Sequence, residues 1–488
     1  MHSHGMRTER MLRKASFDRH ECRRNGRTGV GMKYLNDKAE DIQIAYIGGG
    51  SRGWAWTFMT DLAMEGAISG TIRLYDIDRE AAKANEMIGN RLRQRADAAG
   101  KWDYRVAETL EEALTGADFV VISILPKTFD EMEIDVHMPE RLGIYQSVGD
   151  TAGPGGIIRS MRTIPMFVEF AEAVRKYCAD AWVINYTNPM SVCVRTLYHV
   201  FPQIKAFGCC HEVFGTQKVL AGIAERELGI EGIKREDIHV NVLGINHFTW
   251  FDYASYKGID LFPVYKNYID SHFEEGYEEN DHNWANSTFE CAHRVKMDLF
   301  RRYGLIAAAG DRHLAEFMPG DEYLKDPETV KSWKFGLTTV AWRKNQLRER
   351  LEQSRRLAEG EEEIGLQPTG EEGILLIKAL CGLTRVVSNV NIPNTGSQIR
   401  NLPETAVVET NAVFERNAIR PLIAGSLPEE ILRLTMPHVE NHERVLKAAL
   451  TTDRELVAEA FANDPLVKGR ASEADIRKLA EDMLAAAL

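Results

Sequence analysis

Two histidines and a cysteine form the first candidate site for chemistry in this sequence. Cys210 and His211 follow the apolar residues 204–207, and His247 follows the apolar residues 240–243. A thiolate and an imidazole both bind divalent metals, and two protein ligands leave coordination positions for substrate oxygens. The alternative is a buried thiol and a core histidine, which is the commoner role for such residues taken singly.

A glycine-rich loop follows the first strong strand pattern. Residues 42–47 have the composition of a buried parallel strand, residues 48–53 read G-G-G-S-R-G, and residues 54–64 have helical spacing. G-x-G-x-x-G lets a pyrophosphate approach a helix N-terminus, where backbone N–H groups favour anions. A second predicted strand, residues 71–75, ends at a carboxylate that can accept from ribose hydroxyls, which favours NAD over NADP. The predicted NAD-binding residues are Gly48, Gly50, Gly53 and Asp76.

Two more polar residues are predicted at the same sheet edge. Asn188 follows the predicted strand at residues 181–186 and would point at a ligand, or else cap the helix that begins near Pro189. Asp150 lies in residues 147–156, whose four glycines and one proline predict a loop of defined shape.

Composition limits the classes of partner. The chain has 488 residues, 27% of them charged, and a net charge of −12, which argues against nucleic acid and anionic membranes. The seven cysteines show no disulfide spacing, which indicates reduced thiols in the cytoplasm.

The order of elements predicts an α/β fold. An N-terminal Rossmann-type doubly wound parallel sheet, residues 39–208, would bind NAD. An α+β C-terminal domain, residues 209–488, would bind metal and substrate and form oligomer contacts. Residues 1–38 are basic and have no apolar segment, so we predict a disordered leader, with the true start near Met32.

Taken in order, the motifs resemble glycoside hydrolase family 4. These are G-x-G-x-x-G, G-D-T-A-G-P-G-G at residues 149–156, R-T-I-P, N-P-M, C-H and G-I-N-H. Members of this family are NAD-dependent glycosidases, an exception to the two-carboxylate mechanism. The longer strings resemble the family members that hydrolyse α-D-galacturonides. α-Glucuronides, α-galactosides and α-glucosides are the alternative substrates within the family.

The resemblance implies a redox-assisted reaction. NAD takes hydride from C3 of the sugar, a base removes the C2 proton, and an acid helps to expel the group at C1. Water then adds and the ketone is reduced again. Mn²⁺ binds the C2 and C3 oxygens and acts as a Lewis acid. Family members are commonly dimers or tetramers, so the resemblance also implies a homo-oligomer.

The resemblance also gives roles to residues of the metal and proton-transfer site. Cys210 and His247 match the metal ligands, and His211 matches the proton donor. Asp311 falls about where the family has its C2 base, with Tyr303 as the nearby alternative.

Four further residues match substrate-contacting roles. Asp150 and Asn188 match positions that contact the sugar. A uronate carboxylate needs a cation, and a planar arginine fork suits it. Arg312 is our candidate for that role and Arg159 the second choice.

Two readings from other classes stay open at this stage. A simple NAD-dependent dehydrogenase would need no metal and would accumulate NADH. A non-catalytic NAD sensor would have lost its reactive side chains, whereas every polar position that the mechanism requires still carries a competent residue here.

Overall fold

The computed structural model describes residues 32–278, 291–337 and 339–487. The described chain opens with a hairpin in which β1 (Lys33–Leu35) pairs antiparallel with β2 (Lys38–Ile47). The predicted disordered leader is therefore wrong at its C-terminal end, because residues 33–35 and 38 belong to strands. Residues 1–31 of that leader lie outside the described residues.

Six parallel strands form the predicted Rossmann-type sheet, in the order β4-β3-β2-β5-β6-β7. Besides β2, they are β3 (Ile68–Tyr75), β4 (Trp102–Val106), β5 (Phe119–Ile122), β6 (Trp182–Asn185) and β7 (Lys205–Gly208). The chain builds outward from β2 in one direction and then from β5 in the other, which opens a ligand crevice at their carboxyl ends. The doubly wound fold is confirmed.

Helices pack on both faces of this sheet, over separate apolar clusters. They are α1 (Trp54–Met64), α2 (Arg79–Gln94), α3 (Leu110–Leu114), α5 (Gly153–Tyr177) and α6 (Met190–Val200). Between α3 and α5 in the chain, α4 (Phe129–His137) packs on α5. The bounds of α1 agree with the predicted helix. The loop predicted at residues 147–156 is shorter than expected, because Pro154 lies in the first turn of α5, where its missing N–H costs no hydrogen bond.

Three antiparallel strands from the second half of the chain extend the same sheet. They are β12 (Val386–Pro393), β13 (Val407–Glu415) and β14 (Ala418–Pro421). β12 joins β7 through the pair Asn391 and Gly208. The sheet thus draws strands from both sides of the predicted boundary at residue 208.

A second, antiparallel sheet carries the turn with His247. It contains β8 (Ile238–Ile245), β9 (Phe248–Tyr256), β10 (Ile259–Asp260) and β11 (Ile306–Ala307). Asn246 and His247 form the connection between β8 and β9, and His247 has a φ of 65°, in the left-handed region. This tight turn directs the imidazole back toward the protein interior, where it is 3% exposed.

The remaining helices follow β7 in the chain. They are α7 (Glu212–Leu228), α8 (Leu261–His272), α9 (Arg294–Tyr303), α10 (Asp311–Glu316), α11 (Pro327–Ser332), α12 (Val340–Glu359), α13 (Gly373–Leu380), α14 (Glu429–Thr451), α15 (Arg454–Asn463) and α16 (Glu473–Ala487). The last three share a large apolar core with α5. Among the helices described, none is long and apolar enough to cross a membrane.

Candidate active site

The glycine loop between β2 and α1 is shaped for the close approach of a ligand. Gly48 has a φ of 91°, and a Cβ atom there would lie 1.9 Å from the carbonyl oxygen of Ser123. Only glycine fits this contact between the carboxyl ends of β2 and β5. Gly53 immediately precedes α1, so the free N–H groups of the first helical turn follow the loop directly.

Asp76 ends β3 beside the same loop. Its Oδ2 accepts from the N–H of Gly50 at 2.8 Å, and its Oδ1 accepts from the N–H of Asp78 at 2.9 Å. Burial raises the pKa of Asp76, and the two backbone donors oppose that rise. A carboxylate has about four acceptor positions, so two remain for ribose hydroxyls. Gly48, Gly50, Gly53 and Asp76 therefore lie together at the crevice, as an NAD site requires.

Asp150, just before α5, and Asn188, just after β6, are close neighbours. Nδ2 of Asn188 donates to Oδ2 of Asp150 at 3.4 Å, while Oδ1 of Asn188 is buried and finds no hydrogen-bond donor in the described part of the chain. Burial would raise the pKa of Asp150, but His313, Arg159 and His247 hold it well below its usual range. Asp150 is therefore ionised at neutral pH. Nε of Arg159 donates to the carbonyl oxygen of Asn188 at 3.0 Å, which fixes this corner of the site.

The hydroxyl of Thr151 determines the tautomer of His247. It donates to Oδ1 of Asp150 at 2.7 Å and lies 3.0 Å from Nδ1 of His247. A hydroxyl has one proton to donate, so Nδ1 must be the donor in the second hydrogen bond. The Nε2 atom of His247 then keeps its lone pair. Burial and the neighbouring His313 lower the pKa of His247 to about 3, so the ring is neutral, as a metal ligand must be.

Three side chains in this corner are spaced for a metal ion. One ligand atom each of Asp150, His247 and His313 lies within 4.8 Å of the others, and the two imidazoles stack with centroids 3.8 Å apart. Nδ1 of His313 and Oδ1 of Asn246 are buried and have no hydrogen-bond partner among the residues that the structure describes. Buried acceptors of this kind are costly unless a ligand satisfies them. The donor set therefore fits a divalent cation with oxygen ligands from substrate.

Cys210 lies beside this group but is not one of the three. Its thiol contacts the side chain of Asn246, the residue before His247, and its carbonyl oxygen accepts from Asn389 at 3.1 Å. Burial raises the pKa of Cys210 well above its ordinary value, so a thiolate forms only where a cation lies against it. The pairing of Cys210 with His247 on one metal stays a prediction.

His211 lies between two carboxylates. Its Nδ1 is 3.2 Å from Oε1 of Glu371, and its Nε2 is 3.9 Å from Oε1 of Glu212. Burial alone would lower the pKa of His211, but the two carboxylates raise it to about 9. The imidazole is therefore protonated at neutral pH and can act as a general acid.

Asp311 is placed away from the His247 group. Its two oxygens accept from the backbone N–H groups of Val295 and Lys296, both at 3.1 Å, at the start of α9. Its side chain is completely buried and lies in a second group with Cys291 and His293. The structure thus does not bring Asp311 together with Asp150 and His247. In this conformation Asp311 anchors α9.

The other two candidates also make structural contacts. The hydroxyl of Tyr303 accepts from Nη2 of Arg302 at 2.9 Å. Nε of Arg312 donates to the carbonyl oxygen of Gly336 at 3.2 Å, and its Nη2 donates to that of Ser147 at 2.8 Å. Arg312 therefore braces the loop that carries Asp150.

Four residues around this site were missed in the sequence. Thr151 lies within the motif at residues 149–156, and Glu212 directly follows the C-H motif, so their positions next to Asp150 and His211 were the available signal. His313 lies two positions after Asp311, which was the residue predicted for the site from this segment. Glu371 carried no signal, because it reaches His211 from the segment before α13, far along the chain.

Known proteins resemble this chain over nearly its whole length. An α-galacturonidase from Lachnoclostridium phytofermentans is 72% identical over 453 residues, which are 93% of this chain and 97% of that protein. The family model described as family 4 glycosyl hydrolase matches residues 43–225, and that of the family's C-terminal domain matches residues 242–467. The chain belongs to glycosyl hydrolase family 4.

Solved structures of family 4 glycosidases share the fold. A putative glucosidase from Bacillus subtilis is 53% identical and superposes with a TM-score of 0.86, over 91% of this chain and all of that one. A 6-phospho-β-glucosidase from Thermotoga maritima was solved with manganese, NAD⁺ and glucose-6-phosphate. It is 22% identical, with a TM-score of 0.71 over 91% of this chain and 98% of that one, and shows the fold alone.

Proposed function

We propose that this family 4 glycosidase hydrolyses α-D-galacturonides such as pectin-derived oligosaccharides, with NAD and Mn²⁺ as cofactors. The observation that carries the proposal is spatial. The glycine loop follows β2, Asn188 follows β6 and the Cys210–His211 pair follows β7 of one parallel sheet. A dinucleotide site, a buried amide oxygen without a partner among the described residues and a protonated imidazole therefore share one sheet edge. The extensive identity to an α-galacturonidase supports the choice of sugar.

Several residues of the chain would hold the cofactors. Gly48, Gly50, Gly53 and Asp76 would bind NAD, while His247 with Cys210, and Asp150 and His313 nearby, would hold Mn²⁺. When bound, NAD⁺ would accept hydride from C3 of the sugar and return it, and Mn²⁺ would polarise the C2 and C3 oxygens.

The protein's own groups perform the proton transfers. His211, kept protonated by Glu371, would donate a proton to the oxygen of the leaving group at C1. Asp150 and Asn188 would bind sugar hydroxyls and fix the ring. We keep Asp311 as the proposed C2 base and Tyr303 as its alternative. For Asp311, two accepted hydrogen bonds leave lone pairs on the carboxylate, and a local opening would have to bring it to the sugar.

A reduced thiol at Cys210 suits a cytoplasmic enzyme, and family 4 members suggest a dimer or tetramer for this chain. Chromatography with light scattering would give the oligomer size directly.

A panel of nitrophenyl glycosides tests the proposal. The purified protein is given α-galacturonide, α-glucuronide, α-galactoside and α-glucoside, with NAD and Mn²⁺ omitted in turn. We expect the highest kcat/KM on the galacturonide, loss of activity without either cofactor, and no net NADH during turnover. NADH that accumulates with turnover, without release of nitrophenol, would instead support a dehydrogenase.

A further inference from the structure

Arg343 lies in the first turn of α12, which is fixed against α4. The Thr339 hydroxyl caps the helix, and the N–H of Val340 lies 3.5 Å from Nε2 of His137 on α4. Val340 is completely buried against Met132 and Val136. The backbone that carries Arg343 therefore has a defined position beside the helix that packs on α5.

The side chain of Arg343 is unusual among the basic residues of α12. Its Nε is buried and has no hydrogen-bond partner, and among the described residues it forms no ion pair. By contrast, Lys344 binds Asp130 and Glu133, and Arg356 binds Glu362. A buried donor on a charged group is costly when unpaired. The position is therefore suited to an anionic ligand.

The strongest charges that act on Arg343 belong to the sugar site. They are those of Asp150 and Arg159, with Arg350 and Glu316 acting more weakly, and Arg343 in turn acts on Arg312. Arg159 already uses Nε on the carbonyl oxygen of Asn188, and Arg312 uses two donors on loop carbonyls. Of these three arginines, Arg343 is the one that donates no hydrogen bond to the described residues.

Charge balance points the same way. Glu316 accepts from the N–H groups of Val148 and Gly149, and burial raises its pKa to about 8, so it is neutral at pH 7. Asp150 is then the ionised carboxylate that acts on both Arg159 and Arg343, which leaves an excess of positive charge on this pair. One more carboxylate beside Arg343 would reduce that excess and pair the open donors.

We propose that Arg343 binds the C6 carboxylate of the galacturonide and so determines the preference for uronides over neutral sugars. The inference rests on the proposed function, because it names the group that recognises the substrate class. A planar guanidinium pairs with a carboxylate through two parallel hydrogen bonds. A C6 hydroxymethyl or methyl ester group cannot accept in this way and leaves the buried donor unpaired.

The test compares Arg343→Met with the wild type and with Arg348→Met, a control at an exposed position on the same helix. The substrates are nitrophenyl α-D-galacturonide and its C6 methyl ester, and the inhibitors are D-galacturonate and D-galactose. We expect Arg343→Met to lower kcat/KM on the acid by about 100- to 1,000-fold, to change that on the ester by less than about threefold, and to weaken inhibition by D-galacturonate only. Arg312→Met, tested in parallel, should lower kcat/KM on both substrates together, because Arg312 braces the loop that carries Asp150.

The outcomes separate the two proposals. If the wild type does not prefer the galacturonide to its ester, the proposed function is wrong whatever the variants do. If the wild type prefers the acid and Arg343→Met keeps that preference, with D-galacturonate inhibiting as before, the inference about Arg343 is wrong. NAD affinity, measured by protein fluorescence, reports whether the Arg343→Met site still folds, and Arg343→Lys should restore part of the preference.

Discussion

The hydroxyl of Thr151 lies 3.0 Å from Nδ1 of His247 and fixes which ring nitrogen is free. Because the same hydroxyl donates to Asp150, His247 donates from Nδ1 and presents Nε2. A residue behind the ring thus sets up a metal ligand, in the way that supporting hydrogen bonds generally do. Several expectations about the site depend on this chain of three residues.

Thr151→Val keeps the shape of the side chain and removes its hydrogen bond with His247. We expect the dissociation constant for Mn²⁺ to rise about 10- to 100-fold, because the imidazole loses its fixed tautomer and orientation. This dissociation constant is measured by electron paramagnetic resonance of the free Mn²⁺. Thr196→Val is the control, since Thr196 is also buried but its hydroxyl donates to a helix carbonyl oxygen in α6. Equal Mn²⁺ affinity in both variants would contradict the assignment.

Replacing Cys210 by serine tests whether the thiol is a metal ligand. If Cys210 and His247 hold the ion, Cys210→Ser weakens Mn²⁺ binding by about tenfold or more, since a hydroxyl is a poor substitute for a thiolate. Cys209→Ser, at the adjacent buried thiol, should leave Mn²⁺ binding unchanged. The same titration with His313→Asn examines the other set of ligands. Loss of affinity in His313→Asn with normal affinity in Cys210→Ser would assign the ion to Asp150, His247 and His313 instead.

The pH dependence of the reaction reports on His211. The acid must be protonated, so kcat/KM should fall as the pH rises through about 9. Glu371→Gln removes the carboxylate at 3.2 Å, which lowers the pKa of His211, so the fall should begin about 1–3 pH units lower. Glu363→Gln, at an exposed site, serves as the control. An unchanged alkaline limb in Glu371→Gln would mean that another group is the acid.

The raised pKa of His211 also affects stability. Its folded value is above the unfolded value of about 6.5. The stabilisation by Glu371 is therefore complete below that pH and is lost as the pH rises through about 9.

A methyl group at Gly48 should damage the dinucleotide site. Gly48→Ala forces a Cβ toward the carbonyl oxygen of Ser123 at a φ of 91°, so the loop must shift, at a cost of about 1–3 kcal/mol. We expect the dissociation constant for NAD to rise about tenfold or more, measured by fluorescence titration. Gly215→Ala is the matched control, because a Cβ at that helical position meets no atom within 4 Å. An NAD affinity in Gly48→Ala equal to the control would argue against NAD at this loop.

The local parts of the fold and site could be predicted from the sequence. The strand–glycine loop–helix unit, Asp76 and the polar strand ends follow from patterns within a few residues of one another. The pairing of Asn391 with Gly208, and of Glu371 with His211, could not, because each joins segments that are distant in the chain.

Two further features depend on burial that composition does not reveal. Asp311 stands among other ionisable residues, and nothing in the sequence shows that backbone N–H groups of α9 use its carboxylate. Arg343 belongs to a highly charged helix that is typical of a solvated face, and only the structure shows that its Nε is buried and unpaired.

The redox-assisted mechanism is tested most directly by hydrolysis of an α-D-galacturonide in D₂O, with the product examined by NMR and mass spectrometry. When a base removes the C2 proton, a deuteron from the solvent can replace it, so this mechanism predicts deuterium at C2 of the galacturonate released. The incorporation of deuterium should match turnover. When NAD or Mn²⁺ is left out, both the activity and the incorporation should disappear. Galacturonate released at the full rate with ordinary hydrogen at C2 would contradict a redox-assisted mechanism.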